Sequence, residues 1–286
     1  MLPMVPPARS SDEVSEPADI AFAEHAEAAG FDSVWVADHF LANLPFQSPR
    51  EPVHEAWTVV SAVAARTRRI EIGQLVMCVS YRPAGTLAKM AATADAVSRG
   101  RLTLGIGAGW HDEEYRAFGF PTDHRVDRFE EAVRIIRPLV KGERVTFAGR
   151  YHAVEDAELL PLARPIPILI ASARPRMLAL TARFADAWNT AWYGMPDERF
   201  RERLAGLESA LEAEARDPAS IRRTVGVEVR PPGRPPADGD GAVDVSELPA
   251  AVEAYGELGF DDVILVSDDA GTDMLDRVAL ALALGA

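Results

Sequence analysis

Cysteine is nearly missing from this 286-residue chain: the single Cys78 excludes an internal disulfide and leaves any thiolate metal cluster without partners. Long apolar runs are missing too. No stretch approaches the ~18 consecutive apolar residues that a membrane-crossing helix needs. The opening "MLPMVPPARS" has neither a basic n-region nor an apolar h-region, so a cytoplasmic protein is expected. Positive charge is in short supply. With 44 acidic against 30 basic side chains the net charge is −14, which repels nucleic acid and anionic membranes and leaves a small molecule as the expected partner. A hydrophobic content of 48% is enough for a sizeable core.

What is present is one pattern repeated. "SVWVA" (33–37), "IEIGQLVM" (70–77), "LTLGI" (102–106), "IPILIA" (166–171), "DAWNT" (186–190), "TVGVEV" (224–229) and "DVILV" (262–266) read as strands buried on both faces. Helical patterns follow them at 54–66, 83–98, 126–140, 174–184, 196–214, 246–258 and 272–284, and another precedes them at 17–29, ended by Gly30. Eight helices against seven strands imply one more strand at the start, where only "LPMVP" remains, so that strand is either very short or begins outside this chain. The alternation predicts one (β/α)8 barrel domain spanning 1–286, with a doubly wound sheet as the alternative. Two insertions interrupt it: a hairpin within 143–165, and a Pro-, Gly- and Asp-rich segment at 230–245 that is expected to be mobile.

The stretch "LTLGIGAGW" (102–110) looks at first like a dinucleotide fingerprint. It fails at the third glycine: counting from Gly105 the sixth position is Trp110, and from Gly107 it is Asp112. Placed in a barrel, the glycines belong to the loop after the fourth strand, where bare backbone can approach a flat ring or its phosphate. Asp38 and His39, Cys78 to Arg82, Ala171 to Arg174, and Trp188 and Asn189 follow other strands and converge on the same carboxyl-end mouth.

These residues carry a family resemblance. "AGFDSVWVADHF", "RPAGTLAKMAATADAVSRGRLTLGIGAGWHDEEYRAFGFP", "RVDRFEEAVRIIRPLVKGE" and "RFADAWN" resemble the bacterial luciferase-like flavin and deazaflavin oxidoreductases over nearly the whole chain. The Asp38-His39 pair before a phenylalanine is similar to the branch that uses the deazaflavin coenzyme F420. The resemblance implies a (β/α)8 barrel, a homodimer, and a cofactor held at the barrel's carboxyl end. FMN is the alternative cofactor, with a reduced-flavin monooxygenase as the alternative activity. A barrel that only binds flavin is a third reading, motivated by the short first strand. Two departures stand out. The Gly-Gly pair common after the fifth strand is Ala171-Ser172 here, and the glutamate of the branch's sugar-phosphate dehydrogenases is Trp110, so a sugar-phosphate substrate is not expected.

The expected site follows from position and resemblance together. His39 is either a loop histidine bonded to a carbonyl or the acid/base residue, and its strand-end place beside Asp38 favours the latter. Asp38 is expected to orient His39 or the substrate, or merely to cap the loop. The cofactor is expected against Asp38, Cys78 and Val79, and against Gly107, Ala108 and Gly109. Its phosphate is expected over Ala171, Ser172, Ala173 and Arg174, with a hydroxyl bond from Ser172 and with Arg174 and Arg176 opening the following helix. The resemblance further implies a non-proline cis peptide, placed at Cys78–Val79. His111, Asp112, Glu113 and Glu114 read as the acidic first turn of a helix rather than a metal site, and no metal is expected.

Overall fold

A computed structural model describes residues 17–41, 53–231, 241–267 and 271–284. The strand expected at "LPMVP" and the centre of the 230–245 insertion lie outside the described residues. Within them, the helix α1 (Ala18–Ala28) leads into β1 (Ser33–Val36), α2 (Ala56–Arg66), β2 (Glu71–Gln74), β3 (Met77–Cys78) and α3 (Ala84–Ser98). The chain continues through β4 (Leu102–Gly107), α4 (Asp112–Ala117), α5 (Arg125–Val140), β5 (Val145–Ala148), β6 (Ala153–Ala157), β7 (Ile168–Ala171) and α6 (Pro175–Phe184). It ends with β8 (Ala187–Tyr193), α7 (Glu198–Ala213), β9 (Arg222–Arg230), β10 (Val243–Asp244), α8 (Leu248–Glu257), β11 (Asp262–Val266) and α9 (Thr272–Ala281).

The strands form one curled parallel sheet in the order β1-β2-β4-β7-β8-β9, with β11 beside β9 and the short β3 and β10 on β4 and β9. This is the (β/α)8 arrangement, with Trp35, Leu169, Ala187 and Ile264 packed inside the sheet's curve. Helices cover the outside through their apolar stripes: in α5, Phe129, Ala132, Val133, Ile136 and Val140 are all buried. Local chemistry sets the ends. The Glu55 carboxylate accepts the Trp57 and Thr58 amides to start α2, Asp197 accepts Phe200 N to start α7, and left-handed Arg99 followed by Gly100 stops α3. The hairpin expected in 143–165 is the antiparallel pair β5–β6.

One strand departs from expectation in a way that shapes the site. The run 70–77 is not continuous; it breaks between β2 and β3, and the non-proline cis peptide there is Leu75–Val76, not Cys78–Val79. Cys78 and Val79 are held in the ladder instead, Cys78 paired with Gly107 and Val79 N donating to Gly107 O at 3.1 Å. The break presses on β4, and the β4 glycines receive it. A Cβ on Gly105 would collide with the Gln74 carbonyl oxygen, and one on Gly107 would lie 2.6 Å from Val76 Cγ2.

Candidate active site

At the carboxyl ends of β1, β3, β4, β7 and β8 the loops enclose a cavity of about 320 Å³. It is bordered by Asp38, His39, Cys78, Gly107, Ala108, Gly109, Ala171, Ser172, Ala173 and Arg174, all expected at the site. Val79, also expected there, is fully buried behind the wall, and Arg176 does not border the cavity. Leu75, Val76, Met177 and Trp192 add an apolar lining, and Trp110 stands at the rim, 53% exposed.

Asp38 and His39 do not serve each other. The Asp38 carboxylate takes Arg82 in a two-pronged ion pair, Nη1 to Oδ2 at 2.7 Å and Nη2 to Oδ1 at 3.1 Å, and accepts the Cys78 amide at 3.0 Å. Arg82 also reaches Glu55 at the start of α2. Burial pushes the Asp38 carboxyl up, against the pull of Arg82 and the Cys78 amide. Asp38 therefore ties the β1 loop to β3, and the expectation that it orients His39 is replaced by a different partner. His39 Nδ1 lies 3.1 Å from both carboxylate oxygens of Glu114.

Glu114, expected only as part of an acidic first turn, is that partner. In the fold it sits on the inward side of α4 with no exposed side-chain surface, accepting the amides of Phe40 at 2.6 Å and Leu41 at 2.9 Å and the Tyr81 hydroxyl at 2.8 Å. Burial works to raise its pKa, yet His39, the Leu41 amide and Tyr81 together hold it below the ordinary carboxylate range. Glu114 and its neighbour Tyr115 are the two buried residues of this six-residue helix, which is too short for an apolar period to mark its inward side in the sequence. Asp112 faces outward to Arg125, and among the described residues no group of three His, Cys, Asp or Glu could hold a metal ion.

The glycine at the loop's end has a specific reason. Gly109 has φ +80°, and a Cβ there would collide with the Tyr115 hydroxyl and lie 2.6 Å from Cys78 Sγ. The missing side chain thus makes room for protein atoms, not directly for a ligand as expected. The Tyr115 hydroxyl donates to Ala108 O at 2.9 Å and lies 3.0 Å from Cys78 Sγ. Burial pushes the Cys78 thiol up to about 11, so it is a neutral packing residue.

Across the cavity, α6 begins with Pro175 and has no side-chain cap, so its first amides are open beside Ala173 and Arg174. The exposed Arg174 side chain makes no hydrogen bond or ion pair with the described residues. Arg176 points elsewhere, to Asp127 and to Glu130 at 3.1 Å, which removes it from the expected anion site. Ser172 is also committed: its hydroxyl lies 2.8 Å from Thr181 Oγ1, which itself donates to Met177 O. The anionic end of a flavin or deazaflavin fits this donor set, an uncapped helix start plus one partnerless guanidinium, without the Ser172 hydroxyl.

Comparison with known proteins bears on the family and the fold. Residues 4–231 match the luciferase-like monooxygenase family. The F420-dependent glucose-6-phosphate dehydrogenase of Kineococcus radiotolerans is 35% identical over 230 residues, 77% of this chain and 66% of that protein. The F420-dependent hydroxymycolic acid dehydrogenase of Mycobacterium tuberculosis is 33% identical over 208 residues, 71% and 56%. The chain thus spans between about half and two thirds of the length of these relatives. An F420-dependent secondary alcohol dehydrogenase, solved with an F420-acetone adduct, has the same fold at a TM-score of 0.78, with 21% identity and 93% and 94% of the two chains covered. The monooxygenase RslO1 of Streptomyces bottropensis gives 0.73, with 23% identity and 99% and 95% covered.

Proposed function

The chain belongs to the luciferase-like monooxygenase family, and from that premise we propose that it is an oxidoreductase that uses coenzyme F420 on a small organic substrate. The observation that carries this reading is one cavity with two unlike ends. At one end, His39 has Nδ1 on a buried carboxylate while Nε2 makes no bond to the described residues. At the other, the uncapped start of α6 and Arg174 offer backbone amides and a positive charge to an anion.

In this reading Arg174, the Ala173 backbone and the α6 amides hold the cofactor phosphate. Val76, Ala108 and Met177 exclude water beside its ring. When bound, the deazaflavin supplies the hydride acceptor or donor. His39 holds or takes the accompanying proton at Nε2, and Trp110, with ring centroids 5.6 Å apart from His39, borders the substrate. Among the described residues lining the cavity Arg174 is the only arginine or lysine, so these residues offer a phosphorylated substrate no second such cation. An unphosphorylated alcohol or carbonyl compound fits the lining better than the sugar phosphate of the first relative. A single barrel domain, a homodimer and a cytoplasmic location are parts of the same proposal; no helix among the described residues is long and apolar enough to cross a membrane.

Fluorescence titration of the purified protein with F420 and with FMN tests the reading. F420 is expected to bind more tightly. Tighter binding of FMN with oxygen uptake on reduction transfers the proposal to a monooxygenase, and binding of neither removes it.

A further inference from the structure

Glu114 is held almost wholly by groups outside its own helix. Two backbone amides, Phe40 N and Leu41 N, and the Tyr81 hydroxyl donate to it, and His111 Nδ1 stands 3.5 Å from its Oε2. An ionised carboxylate accepts hydrogen bonds and donates none. The His39 nitrogen that faces it at 3.1 Å from both oxygens must therefore carry the hydrogen, and the lone pair of a neutral imidazole is then on Nε2.

We propose that Glu114 is a positioning residue that fixes His39 as the Nδ1–H tautomer and so makes Nε2 the proton-accepting atom of the cavity. This rests on the reading of His39 as the proton carrier. It goes further by assigning the atom and the residue that selects it. A carboxylate that only fastened the loop would need the Phe40 and Leu41 amides alone. Here the same carboxylate also takes the histidine, from a loop 75 residues away in sequence, in a position with no exposed surface. The burial matters because water cannot substitute for the missing acceptor if the carboxylate is lost.

The test uses the full chain labelled with 15N-histidine, without cofactor, in long-range 1H–15N spectra at pH 8; the His39→Asn spectrum identifies which of the six histidines is His39. Wild type is expected to show a protonated Nδ1 and an unprotonated Nε2 at His39. Glu114→Gln keeps a carbonyl oxygen for the two amides but can offer an N–H to Nδ1. It is expected to shift His39 toward the Nε2–H form and to lower kcat about 10²–10⁴-fold with KM changed only a few-fold. A wild-type His39 protonated on Nε2 overturns the proposal, and so does a Glu114→Gln protein that leaves tautomer and kcat unchanged. If Glu114→Gln does not fold, the wild-type spectrum decides alone. Because that spectrum needs no cofactor, a protein that shows the Nδ1–H form yet binds neither F420 nor FMN sinks the functional reading and leaves this assignment standing.

Discussion

Gly109→Ala tests why the loop after β4 carries its last glycine. The residue sits at φ +80°, where an L side chain costs about 1–2 kcal/mol. The added methyl would also collide with the Tyr115 hydroxyl and lie 2.6 Å from Cys78 Sγ and 2.9 Å from Tyr115 Cζ, and such overpacking costs a further ~1–3 kcal/mol. The sum of roughly 2–5 kcal/mol corresponds to about 3–8 °C in melting temperature for a chain of 286 residues. Thermal and urea unfolding followed by circular dichroism read it directly. A double-mutant cycle then separates the two causes. Tyr115→Phe alone loses the bond to Ala108 O, but combined with Gly109→Ala it also removes the nearest colliding atom, so the double variant should be more stable than the sum of the singles by about 1 kcal/mol. Cofactor affinity should fall with Gly109→Ala, because Ala108 and Gly109 border the cavity. A Gly109→Ala protein within about 0.5 kcal/mol of wild type, or a strictly additive cycle, would refute the packing argument.

Three further outcomes follow from the site. His39→Ala should leave the barrel folded, with a lowered melting temperature because the buried Glu114 carboxylate loses one of its donors, and should lower turnover about 10²–10⁴-fold in a steady-state assay; turnover within a few-fold of wild type removes His39 as proton carrier. Arg174→Ala should weaken F420 binding, more so at low salt, while Arg176→Ala should not, since Arg176 is already paired with Asp127 and Glu130; equal losses in titration would contradict the placement. The Glu114 and Asp186 carboxyls are both held below their ordinary values, against burial, by hydrogen-bond donors that include His39 for Glu114 and Arg137 for Asp186. Their contribution to stability is complete above the unfolded values of about 4 and is lost as pH falls through the lower folded values. Urea midpoints should therefore hold from pH 7 to about 5 and drop below about 4.5, less steeply in Glu114→Gln; a midpoint that rises on acidification contradicts it.

The barrel was legible because its signals are local. "DVILV" is a strand over the residues read for it, and the helix read at 83–98 runs from Ala84 to Ser98, since buried β-branched runs and apolar stripes need only their own neighbours to be recognised. The site was legible by position and not by partner. The place where 70–77 breaks depends on what β4 can receive at Gly105 and Gly107, on a strand some 30 residues on, and nothing within "QLVMC" marks the peptide that departs. Glu114 stayed hidden because α4 has six residues, too few for a 3.6-residue period to show which side faces inward. Arg176 and Ser172 were placed at the right helix start, but their commitments, to Asp127 some 49 residues away and to Thr181 on the helix itself, belong to the folded chain. Adjacency was the misleading cue in Asp38-His39. Successive residues leaving a strand tend to face opposite sides, so two neighbours at its end are poorly placed to share a bond. Asp38 turns to Arg82 and the β3 amide while His39 turns to Glu114, and the pair pins two different loops to β1. That division leaves the imidazole, and not the carboxylate, with an uncommitted polar atom at the cavity, which is the ground for proposing His39 as the proton carrier.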